Sequence, residues 1–333
     1  MILTVVILIF SLLSALGAVS ITTFLFVTER RAPRFSKSIK KIEIVQRDTL
    51  LSVIITAKNE EQTIGRCLES LIAQTHENLE IIVVDDESSD DTVKVSQKFS
   101  DRDKRIRVVG AGVKPSGWFG KNWPCQKGFE NSRGEFLLFV DADSEFDKAV
   151  ISLALNYALS LSIDMLSLSP RLRLKGVWSR ATVPLLTGAI NLLYPMTRVN
   201  DPDKKRAYVF GTFVLVLRKT YEEIGGHASV KDKLVEDAAI AQRAKSSGHK
   251  LRVEIGNEFA SSDWESELKV IYHGLERVFS DSVRPYGLLS ILNAVLVFFL
   301  GIFPLIVVGG YLAFESRYSL TSLGGISFLV CLV

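Results

Sequence analysis

Apolar and polar positions divide the chain into an apolar start, a mixed middle and an apolar end. Residues 1–27 contain no charged residue, and residues 287–313 form a second long apolar stretch. From residue 51 onward, short apolar runs such as LLSVIIT and LEIIVV alternate with segments in which apolar residues recur every three or four positions. This alternation predicts an α/β middle domain, in which helices cover both faces of a parallel sheet.

The predicted strands all end in polar residues. TAKNEE follows the first strand, DDESSDDT the second, and DADSE follows the run FLLFV. Because ligands of parallel sheets bind beyond the carboxyl ends of the strands, the three acidic loops are expected to meet at one rim. Asp90, Asp91 and Thr92 fit a simpler role as caps of the next helix. Asp85 and Asp86 are adjacent carboxylates that repel each other, which favours a ligand or cation as the reason for both.

Asp141 and Asp143 follow the apolar run directly, and Glu145 comes two positions later. In an extended chain, residues two apart project to the same side, so both aspartates can face one ion or one ligand. Carboxylate oxygens suit magnesium or manganese, ions that commonly bridge substrate phosphates. The D-x-D pattern therefore predicts a divalent-cation site at the end of this strand.

Two further positions carry candidate chemistry. Lys121, in SGWFGKNWPCQKG, precedes a predicted helix start, where backbone N–H groups favour anions, so a diphosphate contact is expected there. Asp237 opens the helical pattern EDAAIAQRAKSSGHK, and its position fits either a first-turn carboxylate or a general base. Three aromatic residues near Lys121 fit either stacking on a sugar or base, or packing in the core or at a membrane surface; they are Trp118, Phe119 and Trp123.

The apolar ends predict a membrane protein. Residues 1–27 would form a helix of roughly 40 Å, longer than the roughly 30 Å hydrocarbon core, and they lack the basic start of a cleaved signal peptide. Six Lys and Arg residues follow in TERRAPRFSKSIKK, and such a cluster marks the cytoplasmic side. We expect an anchor over residues 1–27, a basic linker over 28–50 and a C-terminal transmembrane region over 287–333. The protein would then lie in the cell membrane with at least two spans and its middle domain in the cytoplasm.

Charge and cysteine content argue against several classes. The chain has 333 residues, with 40 Lys and Arg against 37 Asp and Glu, which gives a net charge of +3. Nucleic acid is not expected as a partner, because binding to its backbone usually requires a strongly basic domain. Cys67, Cys125 and Cys331 are scattered, which argues against a disulfide framework and against a zinc site. Buried thiols in a reducing compartment are expected instead.

Four motifs give the chain a family resemblance. SVIITAKNEE, IIVVDDESSDDT, GKNWPCQKGFENSRGEFLLFVDADSE and VEDAAIAQRAKSSGHKL resemble the motifs of family 2 glycosyltransferases in order and separation. The resemblance covers about residues 51–253 and implies a single doubly wound nucleotide-sugar-binding domain of the GT-A type, expected over residues 51–260. The GWFGKNW segment is similar to membrane-anchored members that glycosylate carotenoid acids and hopanoids, which implies a lipid or polyprenoid acceptor.

The resemblance also implies roles for individual residues. Asp143 matches the metal ligand for Mg²⁺ or Mn²⁺, while Asp141, a second candidate ligand, matches the aspartate nearer the ribose. Asp237 matches the general base of inverting transfer, and Glu236 stands beside it. The remaining matches line the pocket for a nucleotide-diphosphate sugar, with Asp86 at the nucleobase. The expected nucleotide-sugar site comprises Thr56, Lys58, Glu60, Asp86, Lys121 and Asp141.

The acceptor side is less defined. Residues 181–197 are apolar but interrupted by prolines at 184 and 195, which are expected to break a helix. They fit either a buried core segment or a membrane-interface segment that admits a lipid acceptor. Residues 261–286 indicate an interfacial amphipathic segment. The Q-x-x-R-W motif of processive polysaccharide synthases is missing after Asp237, which favours transfer of a single sugar. A processive synthase and a non-catalytic membrane-tethered sugar-nucleotide binder are the alternatives.

Overall fold

The structure is a computed structural model that describes residues 17, 19–20, 22–41 and 48–264. The chain divides into two compact units, one formed by Met1–Arg30 and Phe279–Val333 and the other by Arg31–Val278. In the first unit, residues 22–30 are helical.

The membrane predictions fall mostly outside the described residues. This holds for most of the anchor expected at 1–27, for all but the first few residues of the segment at 261–286, and for the whole of 287–333. Among the residues that the structure does describe, no helix has both the length and the apolar character needed to cross a membrane.

The second unit is built on two sheets. Its strands are β1 Leu51–Ala57, β2 Leu79–Asp85, β3 Ile106–Gly110, β4 Phe136–Asp141, β5 Ser144–Phe146, β6 Met165–Ser169, β7 Arg171–Leu174, β8 Val214–Leu217, β9 Leu251–Ile255 and β10 Ala260–Trp264. Seven strands form the main sheet in the order β3-β2-β1-β4-β8-β6-β9, and β5, β10 and β7 form the small one.

Nine α-helices and two 3₁₀-helices of this unit are described, the latter at Ile39–Lys41 and His227–Val230. The α-helices are α1 Phe35–Ser38, α2 Ile64–Ile72, α3 Thr92–Arg102, α4 Asn122–Glu130, α5 Val150–Leu161, α6 Gly176–Leu193, α7 Met196–Val199, α8 Arg218–Glu223 and α9 Glu236–Ser246.

Both faces of the main sheet are buried, as the apolar runs predict. On β1, Val53 and Ile55 join a core that includes side chains of α2 and α5, while Ile54 points to the opposite core with side chains of α4 and α9. A strand covered on both sides has no polar face, and LLSVIIT accordingly shows no alternation of apolar and polar residues. The α/β prediction is therefore confirmed.

The main sheet departs from an all-parallel arrangement at one strand. Pairs β1–β2, β1–β4, β2–β3 and β6–β9 are parallel, but β8 runs antiparallel to both β4 and β6. β8 therefore begins, and does not end, at the rim where β4 ends. As a result the loop before β8 lies at this rim and contributes to the candidate site.

Pro184 does not break the helix that contains it, contrary to the sequence-based expectation. Helix α6 continues for 18 residues through this proline. A proline in a helix interior costs about 3 kcal/mol, because it lacks the N–H donor and its ring clashes with the preceding turn. On either side of Pro184, however, the side chains of Val183 and Leu186 are buried against the protein. Tertiary packing outweighs the local cost, and α6 ends only at Leu193, before Pro195.

Candidate functional site

The carboxyl ends of β1, β2 and β4 lie side by side, as the sequence predicts. Thr56 pairs in register with Val84 on one side and with Asp141 on the other. The loop after β1 and the loop after β2 are joined by backbone and side-chain hydrogen bonds, among them Asp86 N–H to the Ala57 carbonyl at 2.9 Å. The acidic loops therefore form one continuous rim.

Asp86 is a buried carboxylate held by two lysines. Its Oδ2 atom lies 3.2 Å from the Lys114 ammonium and 3.8 Å from that of Lys58. Lys114 also donates to the Gly120 carbonyl at 2.7 Å, which ties the loop before α4 to this carboxylate. Lys58 was predicted at this site, but Lys114 was not. The one sequence feature that could have indicated Lys114 is its position as a basic residue in a glycine-containing loop close to GWFGKNW.

Two other aspartates, at the end of β2 and in the loop after it, have structural roles. The Asp85 carboxylate accepts the Ser88 N–H at 3.3 Å, so the loop uses it as a turn residue, whereas the adjacent acidic pair was expected to face a ligand or cation. Asp90 accepts the Thr92 N–H at 3.0 Å and the Glu61 N–H at 3.1 Å. Asp90 therefore stabilises the turn that leads into α3, whereas Asp91, the N-cap residue, makes no side-chain capping hydrogen bond.

Lys121 lies between two groups of carboxylates. Its ammonium is 2.6 Å from Asp141 Oδ1, at the end of β4, and 3.3 Å from Glu236 Oε1, at the start of α9. Burial opposes the charge of Lys121, yet the carboxylates of Asp141, Asp237 and Glu236 hold its pKa well above the usual value. The lysine is therefore a permanent cation at the centre of the site.

Asp143 is a carboxylate in an unfavourable environment. Burial, followed by the negative charges of Asp141 and Glu60, raises the pKa of Asp143 to about 7. The Ser262 hydroxyl donates to both carboxylate oxygens at 3.1 Å and partly offsets this effect. A positive ion next to Asp143 would relieve the same repulsion.

The carboxylates of Asp141 and Asp143 suit a divalent cation whose remaining ligands are water and substrate phosphate. In the described ranges, no group of three or more His, Cys, Asp or Glu side chains is arranged to hold a metal ion. Mg²⁺ and its relatives commonly bind through one or two carboxylates and complete their shell with water and substrate phosphates. Asp141 and Asp143 fit that mode.

Asp237 lies in the first turn of α9 and packs against the loop before β8. A β-carbon on Gly211 would overlap the Asp237 carboxylate, so the glycine allows this close approach. Tyr208 comes from the same loop. The pKa of its hydroxyl is raised mainly by burial and, to a smaller extent, by the negative charges of Asp237 and Glu236. Neither Gly211 nor Tyr208 was predicted from the sequence.

The small sheet supplies the other unpredicted residues. Asp263 on β10 is nearly buried and pairs with the side chains of Arg66, Arg173 and Lys175, at 2.6, 2.5 and 2.6 Å. Arg173 also pairs with Glu145, which was noted in the sequence as an acidic neighbour of the D-x-D pattern. This network holds β10 in place, and with it the Ser262 hydroxyl on Asp143.

Of the three aromatic candidates, Phe119 is exposed, whereas Trp118 and Trp123 pack against each other. The Trp123 indole N–H donates to the Ala111 carbonyl at 2.9 Å, and its ring meets Trp118 edge to face, with centroids 5.0 Å apart. These contacts give the two tryptophans a structural role where the loop before α4 meets the helix. Cys67 and Cys125 are buried free thiols, as expected.

Comparison with known proteins accords with this geometry. The profile described as Glycosyl transferase family 2 matches residues 52–225, more than half of the chain. The 4,4'-diaponeurosporenoate glycosyltransferase of Staphylococcus aureus (strain USA300) is 29% identical over 217 residues, which cover 63% of this chain and 55% of that protein. This chain thus spans about half the length of the curated relatives it matches.

A solved structure shows the same fold. The mannosyltransferase PcManGT from Pyrobaculum calidifontis, in complex with GDP-Man and Mn²⁺, superposes with a TM-score of 0.58 at 15% identity. The match covers 97% of this chain and 92% of that one. With an α/β sheet of GT-A type, acidic loops at one rim and a profile match over residues 52–225, the chain belongs to glycosyl transferase family 2.

Proposed function

We propose that the chain transfers a single sugar, with inversion, from a nucleotide-diphosphate sugar to a hydroxyl or carboxyl group of a membrane lipid or polyprenoid. The reaction takes place at the cytoplasmic face of the cell membrane, to which the apolar ends anchor the protein. The donor occupies the rim formed by Thr56, Lys58, Glu60 and Asp86, and the reacting groups lie around Lys121.

The position of Lys121 carries the proposal. One ammonium contacts Asp141 of the D-x-D pattern and Glu236, the neighbour of Asp237. The candidate donor-side carboxylate and the candidate base are 96 residues apart in sequence, taking 237 minus 141. Asp141 and Glu236, the residue directly before the candidate base, nevertheless share one cation. A sugar held at the rim would therefore lie close to the start of α9.

The side chains can divide the work of an inverting transfer. Asp237 takes the proton from an acceptor hydroxyl as it attacks the anomeric carbon, and a base placed in this way typically contributes about 10²- to 10⁴-fold. An acceptor carboxylate needs no base. Lys121 offers positive charge to the leaving diphosphate. A divalent cation held by Asp141 and Asp143 would supply Lewis-acid stabilisation of the same group.

The acceptor class is supported by sequence similarity. The S. aureus relative is named for 4,4'-diaponeurosporenoate, a carotenoid acid. The GWFGKNW segment and the apolar ends of this chain point in the same direction. The Mn²⁺ in the PcManGT complex supports a divalent cation in this fold.

The test is a transfer assay with the full chain in lipid vesicles. A panel of nucleotide sugars is supplied with and without Mn²⁺, together with extracted polyprenoid lipids. We expect a glycosylated lipid with one added sugar, identified by mass, and equimolar release of the nucleoside diphosphate. A ladder of longer products would support a processive synthase. Donor binding without turnover of any donor would support the non-catalytic alternative.

A further inference from the structure

Helix α6 exposes apolar side chains at both of its ends. At its start, Val177 is 77% exposed and Trp178 is 53% exposed, and at its end Leu192 and Leu193 are also exposed. Pro184 and Ala181 lie on the exposed side between them. The opposite side of α6 is turned inward and buries Val183 and Leu186. The helix therefore packs by one face and presents an apolar face to its surroundings.

Every charged residue in the stretch of sequence that contains α6 is basic. Residues 171–200 include five Lys and Arg residues and no Asp or Glu. Four of these basic side chains belong to exposed residues. They are Arg171, Lys175, Arg180 and Arg198.

We propose that this surface, the exposed face of α6 with its four exposed basic residues, docks on a bilayer that contains anionic phospholipid. An aromatic and aliphatic face flanked by Lys and Arg suits a helix lying in the plane of the membrane interface. Trp is enriched at that depth. Each basic residue near an anionic leaflet strengthens the attraction by a factor of about five.

A second copy of the chain is a poorer occupant for this surface. A symmetric dimer would place the same patch on both partners and bring its exposed basic residues against their own copies. Like charges in contact oppose such an interface. A lipid surface of negative charge instead matches the patch along its whole length.

The position of α6 connects the surface to the site. Lys175 immediately precedes the helix and pairs with Asp263, and the neighbouring Ser262 donates to Asp143. Docking through α6 therefore brings the D-x-D region toward the bilayer. This inference rests on the proposed membrane acceptor and assigns to α6 the role of presenting the site to it.

Tryptophan fluorescence tests the docking directly. The chain has four tryptophans, at positions 118, 123, 178 and 264, so the apolar ends contain none. The full chain is reconstituted in vesicles of phosphatidylcholine and phosphatidylglycerol whose acyl chains are brominated or plain. Bromine quenches tryptophans that reach the acyl region. Membrane insertion of the apolar ends therefore adds no signal of its own.

We expect quenching in the wild-type chain and its near-complete loss in Trp178→Phe. Val177→Asp retains all tryptophans and should also abolish most quenching. Its matched control is Val113→Asp, at an apolar residue that is 83% exposed but lies outside α6. Arg180→Gln should weaken quenching in anionic vesicles, whereas Arg102→Gln on α3 should not. Equal emission in brominated and plain vesicles, or quenching that persists in both Trp178→Phe and Val177→Asp, would overturn the proposal.

The test is independent of the proposed reaction, because neither donor nor acceptor is present. Glycosyl transfer without quenching refutes docking through α6 and leaves the proposed function standing. Quenching without transfer supports the docking surface and counts against the proposed function. Melting temperatures show whether each variant is folded. Substitutions at exposed positions rarely cause loss of folding.

Discussion

The ammonium of Lys121 lies 2.6 Å from a carboxylate oxygen of Asp141 and links the end of β4 to the start of α4. The same ammonium reaches Glu236 at 3.3 Å. Lys121 therefore bridges the D-x-D region and α9. A bound diphosphate would present it with a third negative group.

Replacement of Lys121 tests that role. We expect Lys121→Met to weaken donor binding by about 10- to 100-fold, because a hydrogen bond to a charged group contributes about 1.5–3 kcal/mol. Isothermal titration with the nucleotide sugar measures the change. Lys98→Met removes an exposed lysine on α3 and serves as the control. Unchanged donor affinity in Lys121→Met would show that the lysine serves only to hold the two carboxylates together.

The raised pKa of Asp143 predicts pH-dependent cation binding. Below its pKa of about 7 the carboxyl group holds a proton that a cation must displace. Mn²⁺ affinity should therefore fall by up to about tenfold per pH unit on acidification and level off above that pKa. Electron paramagnetic resonance of free Mn²⁺ at about pH 6 and about pH 8 measures this change.

Asp143→Asn keeps the side-chain shape and removes the charge. We expect weaker Mn²⁺ binding that no longer varies with pH, together with loss of Mn²⁺-dependent donor binding. Asp147→Asn, at an exposed residue near the start of α5, is the control. If Asp143→Asn bound donor like the parent at limiting Mn²⁺, the metal assignment would be wrong.

Asp237→Asn should separate binding from turnover. The substitution is nearly isosteric, so donor affinity should stay within about twofold while kcat for a hydroxyl acceptor falls by about 10²- to 10⁴-fold. Binding by calorimetry and turnover by nucleoside diphosphate release measure the two effects. Loss of donor binding with retained residual turnover would place Asp237 in the nucleotide site and leave Glu236 as the candidate base.

Gly211→Ala should act on the reaction through Asp237. The added β-carbon would overlap the Asp237 carboxylate and displace it, and a shift of about 1 Å at a reacting group costs about 10²-fold in rate. We expect a fall in kcat with unchanged donor affinity. Gly110→Ala is the matched control, because no atom lies within 4 Å of its added β-carbon. Equal kcat values in the two variants would remove Gly211 from the site.

The burial of the His227 imidazole predicts that the protein loses stability in acid. Burial, and secondarily the charge of Lys121, lowers the pKa of His227 to about 3, and Tyr221 Oη lies 2.8 Å from its Nδ1. Between about pH 6.5 and about pH 3, the imidazole takes up a proton only in the unfolded chain. The free energy of unfolding therefore decreases as the pH is lowered, by up to about 1.4 kcal/mol per pH unit.

Urea unfolding of the parent and of His227→Asn across this pH range measures the effect. The variant is expected to be less stable at neutral pH because it loses the packed ring, but its stability should fall less steeply in acid. His76→Asn replaces the histidine whose ring contacts the Thr49 carbonyl on a different part of the fold, and this control variant should keep the steep dependence. Parallel curves for the parent and His227→Asn would contradict the prediction.

The amino-acid sequence by itself determined the α/β class and the location of the candidate site. Runs such as LLSVIIT and FLLFV must be buried on both faces, and this requirement is local to each strand. The residues that follow such strands then lie at one edge of a parallel sheet. Thr56 and Asp141 are neighbours for this reason, and their adjacency follows from the apolar pattern with its polar ends.

Only the tertiary structure decided which side chains meet across that edge. Ser262 reaches Asp143 over 119 positions, and Lys114 reaches Asp86 over 28. Gly211 meets Asp237 because β8 runs antiparallel, so that the loop before it starts at the rim. Pro184 stays helical because packing outweighs its local preference. Periodicity reports the burial of each element in turn, whereas these contacts depend on strand order and direction, which are set by the packing of the whole chain.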